Sequence, residues 1–301
     1  MAFASNERLM RTPGPEGPLG GILITANSAE APLVLMIPGS GPSDRDGNVP
    51  GMGLLAAPLQ KLAQGLAKRG VASLRIDKRG MFSSAAAVSN AEDVSLEDYA
   101  EDVRHWVSVI NRELSVGCIW LAGHSEGGLV ALAAAENTQI CGLILLATPG
   151  RKAGDVIRQQ LQINPTMSPY LDRAGRAIAD LESGKAHDFS DMPEALRPLF
   201  RASIERFLRS LLTFNPADAA ARFGEPVLVV QGGRDRQVSV ADAKALSDAA
   251  QNAQTLLIDD MNHMLKSVED DMQDNLAAYR DPQRPLADGL VDGIVEFIKD
   301  H

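Results

Sequence analysis

The run CIWLAGHSEGGLVALAAAE, residues 118–136, decides the fold. Its first five residues form an apolar run of strand length, and Leu129–Glu136 is an apolar helical stretch. Between them stands Gly123-His124-Ser125-Glu126-Gly127-Gly128. A serine between strand and helix, with glycine two residues away on either side, describes a nucleophile elbow. The serine backbone is strained at the tip of so tight a turn, and side chains at 123 and 127 would collide. Ser125 Oγ then projects above the sheet at a helix N-terminus, where the dipole favours developing negative charge. A glycine-rich turn with an incidental serine is the bland alternative, so the partners of Ser125 matter.

Outward from the elbow, short apolar runs recur at Ile22–Thr25, Leu33–Ile37, Val71–Ile76, Leu143–Ala147, Val227–Gln231 and Thr255–Ile258. With Cys118–Ala122 they read as strands, mostly continuous runs buried on both faces. Helical patterns fill the gaps, as parallel neighbours require. Leu54–Arg69 is amphipathic and stopped by Gly70, capping boxes begin at Ser95 and Ser239, and Leu290–Lys299 closes the chain. The fold class is α/β, a parallel sheet layered by helices. From Arg151 to Phe223 no strand is legible. There Phe200, Ile204, Phe207, Leu208, Leu211 and Phe214 share one helical face, which either packs this insertion onto the sheet domain or roofs a ligand pocket.

The 301 residues are 45% hydrophobic and 23% charged, a globular composition. Lysine and arginine number 29 against 39 acidic residues, a formal charge of -10 that lacks the basic footprint of a nucleic-acid binder or a polybasic membrane anchor. The N-terminal stretch MAFASNERLMRTPGPEGPLGG has no apolar run of the secretory kind, and no apolar run is long enough to cross a bilayer. Cys118 and Cys141 cannot build a disulfide framework and read as thiols in a reducing, cytoplasmic setting, close together if their strands are neighbours. No P-loop, H-E-x-x-H or paired C-x-x-C sequence is present, so neither a metal nor an organic cofactor is expected.

A serine hydroxyl needs a base. Of five histidines, His124 flanks the serine and points elsewhere, His105 lies in a helix, His187 in the insertion and His301 at the end. His263 follows the last strand, where the loop opens on the elbow's edge of a parallel sheet. An acid must hold its tautomer. Asp235, after Val227–Gln231, fits best; Asp259 and Asp260 are too close in sequence, and Asp155 is a weaker alternative. The chain order Ser125, Asp235, His263 is that of an α/β-hydrolase triad. Oxyanion donors are expected from the backbone N–H of Glu126 and, in Pro38-Gly39-Ser40-Gly41-Pro42, of Ser40, with Gly41 as second choice. That loop is otherwise an ordinary turn.

These motifs, with the segment Gly39–Asn48 and the Asp77-Lys78-Arg79-Gly80 loop, resemble bacterial α/β-hydrolase-fold serine esterases. More narrowly, the sequence resembles the branch related to dienelactone hydrolases and prolyl oligopeptidases, departing from it at Pro38, where histidine is usual. The resemblance implies a mostly parallel eight-stranded sheet with helices on both faces and a helical cap after the sixth strand. Residues 1–150 and 224–301 would then form the core domain and 151–223 the cap. Asp44, Arg45, Asp46, Arg79 and Glu126 fall on loops at the site's edge and read as an ion-pair network bracing it. The expected activity is serine hydrolysis of a small-molecule, short-acyl carboxylic ester, with oligomeric state left open. A peptidase or amidase with the same triad, and a non-catalytic ligand receptor on a hydrolase scaffold, are the alternatives.

Overall fold

The computed structural model describes residues 7–301 apart from Asn27 and Ala29. The first six residues, part of the N-terminal stretch considered above, lie outside the described residues. Eight strands form one sheet: β1 (Glu7–Pro13), β2 (Pro18–Ile24), β3 (Leu33–Ile37), β4 (Ala72–Ile76), β5 (Ile119–His124), β6 (Gly142–Leu146), β7 (Val227–Gly232) and β8 (Ala253–Ile258). Their spatial order is β1-β2-β4-β3-β5-β6-β7-β8. β1 and β2 pair antiparallel, as do β2 and β4; every other neighbouring pair is parallel. The expected α/β architecture, eight-stranded and mostly parallel, is the one observed.

Seven strands fall where the apolar runs stand, within a few residues. β1 has no such run. Of its seven residues only Met10 and Thr12 are buried, because an edge strand presents one face to the protein. Its apolar signal is correspondingly thin. The prolines at the turn between β1 and β2 sit at strand ends, where a missing N–H costs little.

Pleat period explains how the central strands serve two cores. Leu33, Leu35 and Ile37 of β3 join one apolar cluster, whereas Val34 and Met36 join the other. The second cluster is closed by the helices α1 (Pro58–Lys68) and, at the chain's end, Leu290–Asp300. The first is closed by α2 (Leu96–Glu113) and α3 (Glu126–Ala135). Both expected capping boxes form: the Ser95 side chain accepts from the Asp98 amide, and Ser239 pairs likewise with Asp242. Helix α1 begins at Pro58 rather than near Leu54, since proline is preorganised for the first helical position.

Between β6 and β7 the described chain is helical, comprising α4 (Ala153–Ile163), α5 (Leu171–Glu182), α6 (Glu205–Thr213), α7 (Pro216–Arg222) and short 3-10 turns. The apolar stripe packs inward: Phe200, Leu208 and Leu211 are buried in the same cluster as α2 and α3. Phe207 meets Tyr99 of α2 edge-on at 6.0 Å, and Ser210 Oγ accepts from the Leu96 amide at 2.9 Å.

One expectation is overturned. Cys118 and Cys141 are not free thiols; they form a disulfide, with Cα atoms 6.1 Å apart. Each cysteine immediately precedes one of two hydrogen-bonded parallel strands, and the Cys141 amide donates to Ile119 O at 2.9 Å. That register sets the two Cα atoms at bridging distance.

Candidate active site

Parallel pairing brings the carboxyl ends of β3, β5, β6, β7 and β8 to one edge: Ile37 lies opposite Gly123, His124 opposite Leu146, and Gly232 opposite Ile258. The loops that leave this edge carry Ser40, Ser125, Asp235 and His263.

Ser125 has φ 55° and ψ −122°, a conformation that ordinary side chains avoid. Its amide donates to Leu146 O and its carbonyl accepts from the Gly128 amide, at 2.8 and 2.9 Å, which anchors the turn on both sides. A Cβ at Gly123 would strike the Gly127 and Gly128 backbone, and one at Gly127 the Ile37 and Pro38 carbonyls. The glycines at 123 and 127 are therefore required by close backbone approach.

Asp235 sits just past β7 with its carboxylate fully sequestered. Its Oδ1 accepts from the amides of Gln237 and Val238 at 2.7 and 2.9 Å, so the carboxylate cannot rotate freely. Its Oδ2 lies 2.8 Å from Nδ1 of His263. The other ring nitrogen of His263 has no hydrogen-bond partner among the described residues. Asp155, by contrast, pairs with Arg158 on α4. The structure thus brings Asp235 and His263 together on the elbow's edge. It does not join Ser125 to them, for the Ser125 hydroxyl forms no hydrogen bond among the described residues.

Three side chains that sequence reasoning missed hold this pair. Asn262 Oδ1 accepts from the amides of Met264 and Lys266, folding the His263 loop back on itself. Its Nδ2 donates to Asn275 O, and Asn275 Nδ2 donates to Arg234 O at 2.8 Å, tying the histidine loop to the acid loop. Asparagine's habit of bonding nearby backbone was the only available signal. The third is His124. Its Nε2 lies 2.8 Å from the carbonyl of His263, with the rings 5.0 Å apart.

Burial first, and the neighbouring His263 second, hold the His124 imidazole down at about 4. It is therefore neutral at pH 7, and with Nε2–H as donor it fixes the His263 backbone. Unfolded, the ring would titrate near 6.5. Between 6.5 and 4 the unfolded chain binds a proton that the folded chain refuses, so stability falls as pH drops through that window. The whole effect is about 3 kcal/mol, fully regained above pH 6.5. His124→Gln, which retains a donor and does not titrate, is expected to flatten this dependence. Thermal melts at pH 7 and 4.5 test it; equal acid losses in variant and wild type would refute the assignment.

On the loop after β3, the amides of Ser40 and Gly41 have no acceptor among the described residues, and neither has the amide of Glu126. A Cβ built at Gly39 would lie 3.5 Å from Ser125 Cβ, so this loop runs beside the elbow. Asp44 Oδ1 accepts from the Asp46 and Asn48 amides and shapes its continuation. The charged residues expected to brace the site are mostly paired: Arg45 with Asp77 at 2.5 Å, Asp46 with Arg75, Arg79 with Asp102 at 2.7 Å, and Glu126 with Lys78 at 3.5 Å. Asp77 also accepts from Ser83 Oγ, linking the loops after β3 and β4.

Residues 48–271 match the family described as serine aminopeptidase, S33. Esterase EstD of Thermotoga maritima is 27% identical over 260 residues, covering 83% of this chain and 58% of that protein. The chain therefore spans under two thirds of that relative's length. Est1E from Butyrivibrio proteoclasticus, solved with ferulic acid bound, superposes with a TM-score of 0.62 at 20% identity, covering 97% of this chain and 96% of the other. The Pyrococcus furiosus esterase Pf2001 gives a TM-score of 0.61 at 16% identity, covering 99% and 92%. At such identities the structures speak for the fold alone, and the narrower dienelactone-hydrolase branch rests on motif resemblance only.

Proposed function

The chain belongs to the serine aminopeptidase S33 family, and from that premise we propose that it hydrolyses small carboxylic esters through an acyl-enzyme on Ser125. In this reading Ser125 Oγ attacks the ester carbonyl while His263 Nε2 takes its proton. Asp235 holds the proton-bearing Nδ1 and stabilises the imidazolium that forms. The amides of Glu126 and Ser40 receive the oxyanion. His263 then returns its proton to the departing alcohol. A water activated by the same nitrogen attacks the acyl carbonyl, and the acid leaves with Ser125 restored.

One observation carries the proposal: a sequestered carboxylate bonded to Nδ1 of a histidine whose Nε2 has no partner among the described residues, on the sheet edge that bears a strained serine elbow. The Ser125–His263 bond that the mechanism needs is of the kind that tightens when substrate arrives. We read residues 1–150 and 224–301 as the catalytic core and 151–223 as its cap, supported by the anchoring of α6 on α2.

The family's description favours a second reading, cleavage of amides or peptides by the same residues. A panel of p-nitrophenyl esters of increasing acyl length, run beside the matched p-nitroanilides, separates the two. Ester turnover exceeding anilide turnover is expected; equal or faster anilide cleavage would make the protein a peptidase. Binding without turnover of either would return it to a receptor. The cytoplasmic placement expected from the sequence rested in part on free thiols, and the Cys118–Cys141 bond removes that part of its support, since such bonds persist in oxidising surroundings. Among the described residues, no helix is long and apolar enough to cross a membrane.

A further inference from the structure

The loop Asp77-Lys78-Arg79-Gly80 after β4 carries a lysine with no part in the proposed chemistry. Lys78 is buried, its side chain only 4% exposed. An ammonium is costly to take out of water unless its donors are used. Here its Nζ donates to the carbonyl of Gly39 at 2.7 Å, lies 3.5 Å from a carboxylate oxygen of Glu126 and stands 5.4 Å from the centre of the Tyr99 ring. These contacts are unusual in what they select. Gly39 O belongs to the peptide unit whose other end is the Ser40 N–H. Glu126 is the residue whose own N–H follows the nucleophile.

A peptide unit is planar and trans, so its C=O and N–H point in opposite directions. Holding the Gly39 carbonyl therefore also sets the direction of the Ser40 N–H. The next peptide is held as well, for Ser43 Oγ donates to Ser40 O at 2.8 Å. Glycine at 39 and 41 leaves the loop backbone otherwise easy to rotate, with Gly41 at φ 66°. One cation thus touches both segments that would surround a developing oxyanion.

We propose that Lys78 is a positioning residue, whose ammonium fixes the Gly39–Ser40 peptide against the Glu126 segment and so aims the two oxyanion donors. The inference rests on the ester-hydrolase reading given above. Burial pushes the Lys78 ammonium below the usual lysine range, and the Glu126 carboxylate beside it opposes that fall. Preorganised donors act on the transition state more than on bound substrate. Loss of Lys78 should accordingly fall on kcat.

The test compares wild type, Lys78→Met and Lys78→Gln on the best p-nitrophenyl ester, with circular dichroism confirming the fold. Lys78→Met is expected to lower kcat by roughly 30-fold with KM within about twofold. Lys78→Gln, which keeps an N–H donor for Gly39 O, is expected to recover part of that loss. Phosphonylation of Ser125 by a fluorophosphonate should slow in parallel. If Lys78→Met does not fold, Lys78→Gln decides through inhibition by a trifluoromethyl ketone, which presents the oxyanion. Weakening by severalfold with KM unchanged supports the proposal, and wild-type potency overturns it. Wild-type kcat in folded Lys78→Met, or losses in KM alone, would also overturn it. Wild-type protein that turns over no ester and takes no fluorophosphonate would instead sink the esterase reading, so the two failures are distinguishable.

Discussion

Ser125→Ala is expected to lower ester turnover by at least about 10⁴-fold and to abolish fluorophosphonate labelling, with the melting temperature held or raised. No other side chain stands at the elbow tip in a backbone conformation of φ 55° and ψ −122°. Removing one oxygen there takes away the atom that forms the acyl bond and opens no large cavity. The hydroxyl makes no hydrogen bond among the described residues, so its loss leaves no buried partner unsatisfied. The measurement is steady-state hydrolysis beside gel-based labelling of both proteins. Retention of a tenth or more of wild-type turnover, or equal labelling, would move the nucleophile elsewhere.

Asp235→Asn has the second largest expected effect, a fall in kcat of roughly 10³- to 10⁴-fold with the fold intact. The surroundings dictate how the amide must sit. The amides of Gln237 and Val238 both donate to Oδ1 and require an oxygen there. The new NH₂ is therefore forced into the place of Oδ2, which lies 2.8 Å from His263 Nδ1. Facing a donor, Nδ1 must give up its proton, and the ring carries it on Nε2 instead. A histidine protonated at Nε2 cannot accept the serine's proton. Nitrogen NMR of the imidazole reads the tautomer directly, and kinetics read its consequence. An Asn variant within tenfold of wild type, with Nδ1 still protonated, would show that Asp235 does not orient the base.

Much of the site could be read before any coordinates because its strongest constraints are local. Gly123 and Gly127 are needed by backbone collisions within one turn, and such needs are written in adjacent residues. Asp235 and His263 followed from parallel-sheet geometry, which sends every post-strand loop to one edge. The strand-free stretch between β6 and β7 was legible from missing strand patterns alone. The parts that escaped depend on distant partners. Lys78 looks like a surface residue until the fold lays it beneath Gly39. Asn275 is unremarkable in sequence, yet it bridges the loops of residues 234 and 262. The closeness of Cys118 and Cys141 was legible from their places at the starts of two strands, but their bonding was not, because two cysteines alone do not distinguish a pair of thiols from a disulfide. β1 escaped for a different reason, since an edge strand buries too little to leave a pattern.

The helical excursion leaves from β6 and returns to β7, and these strands are hydrogen-bonded neighbours. Its two attachment points are therefore about one strand spacing apart, near 5 Å. Lengthening, shortening or exchanging what hangs between them need not stretch the sheet or shift the register that places residues 125, 235 and 263 on one edge. If residues 151–223 cap the site as proposed, chemistry and selectivity are carried by separable pieces of the chain. A graft taken from another member of the family at this junction could change the molecules admitted while the bond-breaking apparatus stays in place.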